Sequence, residues 1–183
     1  MIKTGIFLIG VVLSTAVIDF QPASCLTADE RKLYELINDY RKSKRLPVIP
    51  LSPNLTRVAQ LHARDLSENN PATGPCNLHS WSDKGNWKPC CYTSDHKQAE
   101  CMWNKPRELS RYKGNGYEIA YFHSAGVKAE DALEGWKKSP GHHSVITSRG
   151  KWERATWKAM GVGIHGSYCV VWFGLEKDDE KCK

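Results

Sequence analysis

Apolar and polar positions alternate with a helical period in the first third of the chain. Thr27-Ala28-Asp29-Glu30 forms a capping-box pattern, in which the threonine hydroxyl serves early helix amides and the glutamate reaches back to the cap. Leu33, Leu36, Ile37 and Tyr40 then recur at helical spacing, which predicts one amphipathic helix running to about Arg45 and ended by Pro47 and Pro50. A second helix is predicted from Ser52 as N-cap with Pro53 in the first turn. Its apolar face carries Leu55, Val58, Ala59, His62 and Leu66, so His62 falls on the core side as a histidine with a buried hydrogen-bond partner. From Asn69 to Lys113 no period is sustained. Order returns with Gly116 to Tyr121 as a short strand or helix, then a helix over Ala129 to Lys138 stopped by Ser139-Pro140-Gly141. Met160 to His165 and Tyr168 to Leu175 flank Gly166-Ser167, a hairpin turn with glycine first. Cys169 to Phe173 is apolar at every position, as expected of a central strand covered on both faces. Helices first, an irregular middle and a closing hairpin give an α+β fold with helices on both sides of a sheet.

Composition narrows the class. The chain has 183 residues, enough for one domain, with 40% hydrophobic and 25% charged residues and a mean hydropathy of -0.53. These values exclude collagen, a coiled coil and a multi-pass membrane protein. The net charge of +6 is spread along the sequence rather than gathered in a stripe, and the tryptophans are scattered through elements that need core. Nucleic acid is therefore not an expected partner.

Cysteine usage and the N-terminus both point to export. Seven cysteines are unusual for a reduced compartment. Lys3 followed by the apolar run Ile6 to Leu13 resembles a secretory leader too short to span a bilayer, and no later stretch predicts a transmembrane segment. Two cleavage points are chemically acceptable, after Ser14-Thr15-Ala16 or after Ala23-Ser24-Cys25. The second places residues 1–25 in the leader and 26–183 in a single domain, and leaves an even set: Cys76, Cys90, Cys91, Cys101, Cys169 and Cys182. Those six are expected to form bridges of open connectivity that staple the loop-rich middle and the closing strand. Adjacent Cys90 and Cys91 reach different partners, and the two-residue knuckle spacing of a structural zinc site is absent. The tail from Glu176 to Glu180 reads as a solvated charge run.

Three segments carry residues able to do chemistry: His79 in Leu78-His79-Ser80, Glu118 in Tyr117-Glu118-Ile119, and His142-His143 after Ser139-Pro140-Gly141. Imidazole and carboxylate suit a divalent metal, and the same groups move protons, but spacing alone does not bring them together. His143 is offset from the others and is assigned to the surface, as are His96, His123 and His165. Asn54-Leu55-Thr56 is an N-glycosylation sequon.

These pieces, in this order, resemble the CAP superfamily of cysteine-rich secretory proteins, antigen 5 allergens and plant pathogenesis-related proteins. The resemblance covers roughly Ala28 to Leu175 and rests on an ordered set of motifs. They are Asn38-Asp39-Tyr40-Arg41, Ala59-Gln60-Leu61-His62-Ala63, Leu78-His79-Ser80, Tyr117-Glu118-Ile119-Ala120, Trp136 through Ser139-Pro140-Gly141-His142, Val145-Ile146 and Met160-Gly161-Val162-Gly163. It implies a three-layer αβα sandwich with an antiparallel central sheet, a disulfide-stapled irregular middle segment, and a central groove lined by two histidines and two glutamates. His79 and His142 match the histidines and Glu118 the first glutamate; Ser139 stands where the family carries the second. The resemblance thus implies a site of His79, His142 and Glu118 for zinc or another divalent cation. It also implies a lipid- or sterol-binding loop, for which Cys90 to Met102 offers Tyr92, Met102 and Trp103 as contacts, unless these side chains merely fill a stapled core. The expected function is a secreted, monomeric, non-enzymatic module that binds a lipid, a sterol or an extracellular protein. The alternative is a metal-dependent, peptidase-like hydrolase, although no nucleophile elbow or His-Glu-x-x-His helix is present.

Overall fold

The structure, a computed structural model, describes residues 25–182. Helices α1 (Ala28–Ser43) and α2 (Pro53–Asn69) occupy the first third of the domain. Helix α3 (Ala99–Leu109) closes the middle, and β1 (Gly116–Phe122) follows. Helices α4 (Ala129–Lys138) and α5 (Pro140–Ile146), with a 3-10 turn at Gly150–Trp152, lead to the hairpin of β2 (Ala159–His165) and β3 (Tyr168–Gly174). Thr27 and Glu30 complete the capping box of α1, and Ser52 accepts from the Leu55 amide at the start of α2.

The sheet is antiparallel throughout, in the order β1-β3-β2. Its central strand explains its own sequence. Val170 and Trp172 point into one hydrophobic cluster with α2 and α3 residues such as Leu55, Val58 and Met102. Cys169, Val171 and Phe173 point into the other, with Leu33, Ile37, Leu133, Trp136 and Ile146 from α1, α4 and α5. With helices on both faces, no position of β3 is left for a polar side chain. The result is the expected αβα sandwich. Glycines 161 and 163 let α2 lie directly on β2: a Cβ on either would fall 2.1 to 2.2 Å from the α2 backbone at Leu55 and Ala59.

Two helices escape the sequence pattern. Helix α3 lies inside the segment without a period. Helix α5 begins where a stop was expected, because Pro140 after Ser139 opens a new helix as well as closing α4.

The cysteine assignment needs a correction. The described bridges are Cys25–Cys182, Cys76–Cys91 and Cys90–Cys101, while Cys169 is a free, buried thiol. Cys169 sits on the inner face of the central strand, opposite Ile164 and Tyr121, and packs as a small hydrophobe within the α1 and α4 cluster. Cys25, which the sequence reading placed in the leader, is bonded to Cys182, so the six bridged cysteines include Cys25 in place of Cys169. The leader run Ile6 to Leu13 and the Ser14-Thr15-Ala16 cleavage point lie outside the described residues.

The glycosylation assignment is also overturned. Asn54 is buried in the first turn of α2; its Nδ2 donates to Asp178 Oδ1 at 2.9 Å and its Oδ1 accepts from the Arg111 amide at 3.0 Å. Asp178 in turn accepts from Ser52 Oγ and the Asn54 amide, so this part of the charged tail is docked on the start of α2 rather than solvated. Among the described residues, no helix is long and apolar enough to cross a membrane.

Candidate functional site

Glu118 sits in the middle of β1, opposite Trp172, with its side chain wholly buried. Two elements bring imidazoles to it. Helix α2 places His62 with Nδ1 2.5 Å from Glu118 Oε1, and the loop after α2 places His79 with Nδ1 2.8 Å from Oε2. The other nitrogen of His62 lies 2.9 Å from the Ser80 carbonyl. His62 is stacked on Trp81 at 4.1 Å and 7°, and Lys105 Nζ lies 5.1 Å from the Trp81 ring. Lys105 is buried and donates to the Lys88 carbonyl and to Glu108, which pins the stapled middle against α3. Burial pushes the Lys105 ammonium pKa down, against the opposing pull of Glu108.

Hydrogen-bond roles fix the protons. A carbonyl oxygen only accepts, so His62 donates from Nε2 to Ser80 and has Nδ1 directed at a carboxyl oxygen. Burial raises the Glu118 pKa, but the charge of His62 and hydrogen bonds from His62 and His79 outweigh it, and the carboxyl titrates below the ordinary glutamate value. Glu118 is therefore a carboxylate that accepts from both imidazoles, and His62 is an imidazolium with both N–H groups used. His79 donates through Nδ1, which leaves Nε2 without a protein partner.

Two members of the cluster, His79 and Glu118, line a cavity of about 480 Å³ beside β1. His79, Glu118 and His142 all line it, and so do Tyr92, Met102 and Trp103, so the six candidate metal and ligand residues surround one space. One wall is the stapled segment, with His96 hydrogen-bonded to the Tyr92 hydroxyl at 3.1 Å; it is held by the Cys76–Cys91 and Cys90–Cys101 bridges. The opposite wall is α5 and the 3-10 turn, with Val145 and Trp152. Tyr92 and Met102 are largely packed into the core, while Trp103 remains 37% exposed at the rim. Burial pushes the His142 pKa down and the neighbouring His79 adds to the effect, so His142 is a neutral imidazole at neutral pH. His143 is half-buried, with Nε2 2.8 Å from the Tyr40 hydroxyl.

Sequence reasoning found the pieces and missed the role of His62. It was placed in the core, which is correct, but its partner lies on a strand 56 residues away. His96 is exposed, as expected, and from there it also lines the cavity.

The donor set does not form a closed metal site. Both Glu118 oxygens are engaged by imidazoles, Ser139 stands at the second glutamate position, and no group of three His, Cys, Asp or Glu side chains among the described residues is placed to hold an ion. Nor does the cavity offer a nucleophile. No Ser, Thr or Cys lines it, Ser80 Oγ is engaged with the Tyr92 backbone, and Ser144 Oγ donates to the Gly141 carbonyl.

The structure is an αβα sandwich with a cavity beside β1 that His79, Glu118 and His142 line. The sequence pattern of the cysteine-rich secretory protein (CAP) family matches residues 34–169, and the chain belongs to that family. Solved structures share the fold. An extracellular protein containing an SCP domain from Bacillus anthracis superposes with a TM-score of 0.55 at 18% identity, over 80% of this chain and 40% of that one. A cysteine-rich secretory protein from Staphylococcus aureus gives a TM-score of 0.51 at 17% identity, over 81% of this chain and 38% of that one. The chain thus corresponds to well under half the length of these proteins. No curated protein matches it significantly.

Proposed function

We propose that this chain is a secreted CAP module that holds a small amphipathic molecule of the lipid or sterol class in the cavity beside β1. The observation that carries the reading is the cavity itself. Its volume of about 480 Å³ lies within the range of small-molecule sites, and its lining is mostly aromatic and aliphatic with a few polar groups, among them His79, Glu118 and His142. Secretion is supported by the leader-like N-terminus, by three disulfides and by the family.

Binding in the cavity is favoured over hydrolysis because its walls are largely apolar and no Ser, Thr or Cys lines it. It is also favoured over a metal-centred role, because the carboxylate that would ligate an ion is occupied by His62 and His79. The test is equilibrium binding of delipidated protein to lipids and sterols, read through the fluorescence of Trp103 and Trp152 at the cavity, together with mass spectrometry of molecules that co-purify from the native source. Saturable binding with a change in tryptophan emission is expected. No lipid or sterol binding by either measurement would overturn the proposal and leave a protein partner as the surviving function.

A further inference from the structure

A second hollow, of about 660 Å³, lies between α3, the loop before β1 and the C-terminal tail, and shares no lining residue with the cavity beside β1. Its charged lining is Arg107, Lys113, Lys158 and Lys177 against Glu176 and Asp179. Separate stretches of chain supply the four cations, and each stretch is held in place. Arg107 donates to the side chains of Asn104 and Asn115. Lys113 follows the buried Tyr112, whose hydroxyl donates to the Glu176 carbonyl at 2.6 Å and accepts from the Glu176 amide at 3.0 Å. Lys177 stands between that clamp and Asp178, which is docked on Ser52 and Asn54. The Lys158 amide donates to the Gly174 carbonyl at 2.9 Å.

Elsewhere in the domain Lys32, Lys42, Lys97 and Lys137 each pair with a carboxylate. Lys113, Lys158 and Lys177 are exposed and have no ion-pair partner among the described residues, although two carboxylates line the same hollow. Cations gathered around a concavity raise the local positive potential and draw in anions. The concavity also selects the shape of the partner. A flat lipid surface reaches only the rim, whereas a narrow chain enters and meets cations from several elements. Lysine ammonium groups are compact point charges without a planar fork, so each can take an oxyanion from any side. We propose that the hollow binds a polyanionic chain with closely spaced sulfate groups, a sulfated glycan of the extracellular surface. The extracellular setting is that of the secreted module proposed above; the binding is independent of what the cavity beside β1 holds.

The experiment titrates the full disulfide-bonded chain by calorimetry with a heparin-derived hexasaccharide, with the same hexasaccharide after desulfation, and with phosphatidylserine vesicles. The variant Lys113→Gln/Lys158→Gln/Lys177→Gln is compared with Lys44→Gln/Lys97→Gln/Lys138→Gln, which lowers the net charge equally at exposed positions outside the hollow. Wild type is expected to bind the sulfated hexasaccharide and to bind the desulfated one at least about tenfold more weakly. The hollow variant should lose about tenfold or more in affinity for the sulfated sugar, and the control variant should stay within about threefold of wild type. All six lysines are exposed, so both variants should keep the wild-type unfolding midpoint, which is measured alongside. An equal loss in the two variants assigns the binding to overall charge and overturns the proposal. So does absence of binding by wild type, equal affinity for the desulfated sugar, or tighter binding to the vesicles that the hollow variant abolishes.

Discussion

Removing the carboxylate from the His62-Glu118-His79 cluster is the sharpest perturbation the structure offers. Glu118→Leu keeps the volume roughly constant but leaves an imidazolium and an imidazole N–H facing a hydrocarbon side chain in a site where Glu118 and His62 side chains have no solvent exposure. Breaking one partner out of a buried pair costs about 3–5 kcal/mol. For a domain of this size that corresponds to a fall in Tm of roughly 6–20 °C. Glu118→Gln should cost much less, about 1–2 kcal/mol, because an amide can accept from His79 and donate to a His62 that has become neutral, so every polar atom keeps a partner. The assay is urea unfolding followed by tryptophan fluorescence with the disulfides intact. The acid side supplies a further check. The folded Glu118 pKa is depressed, so its contribution is fully present above the unfolded glutamate value, about 4.3, and is lost as pH falls through the folded value. The gap between wild type and Glu118→Leu should therefore narrow as pH falls below about 4. A Glu118→Leu protein within about 0.5 kcal/mol of wild type, or a Gln variant less stable than the Leu variant, would refute the proton assignment.

Three other outcomes follow from the packing. Gly163→Ala places a Cβ 2.2 Å from the Ala59 carbonyl carbon in α2, and should destabilise the fold by about 1–3 kcal/mol or more in the same unfolding assay. Cys169 is buried in the sheet and burial pushes its thiol pKa well up, so a thiol reagent should label one cysteine per chain, and only after denaturation without reductant; rapid labelling of the folded protein would contradict the disulfide assignment. Gly141 lines the cavity and has nothing within 4 Å of a built Cβ, so Gly141→Trp should weaken lipid binding while leaving the unfolding midpoint unchanged or raised.

The parts of this fold that were legible in the sequence are those whose physics is local. The Thr27 and Ser52 caps, the 3.6-residue stripes of α1 and α2 and the Gly166 turn each need only a few neighbouring residues to be recognised, and each stands where the pattern placed it. Helix α3 was not legible because tertiary contacts make it: it has no side-chain cap, carries Pro106 in its interior, and buries Lys105 through partners that lie on the preceding loop and its own turn. The cysteine count failed for a related reason. Parity treats every thiol as equivalent, yet Cys169 lies in the one strand without a polar residue, and that apolar context was the available signal that it packs instead of bonding. At the site, resemblance to the family brought His79, Glu118 and His142 together, but it could not show that Glu118 is consumed by His62. That fact depends on a contact between α2 and β1, and it changes the meaning of the whole cluster.

The bridge between Cys25 and Cys182 has a mechanical consequence. Its two Cα atoms are 5.4 Å apart and the 157-residue span between them contains the sandwich. A pulling force that enters the chain before Cys25 and leaves after Cys182 is carried by the sulfur–sulfur bond, and the hydrogen bonds of the sheet bear none of it. Shear on a tethered molecule would stretch whatever flanks the domain and leave the cavity's walls in register.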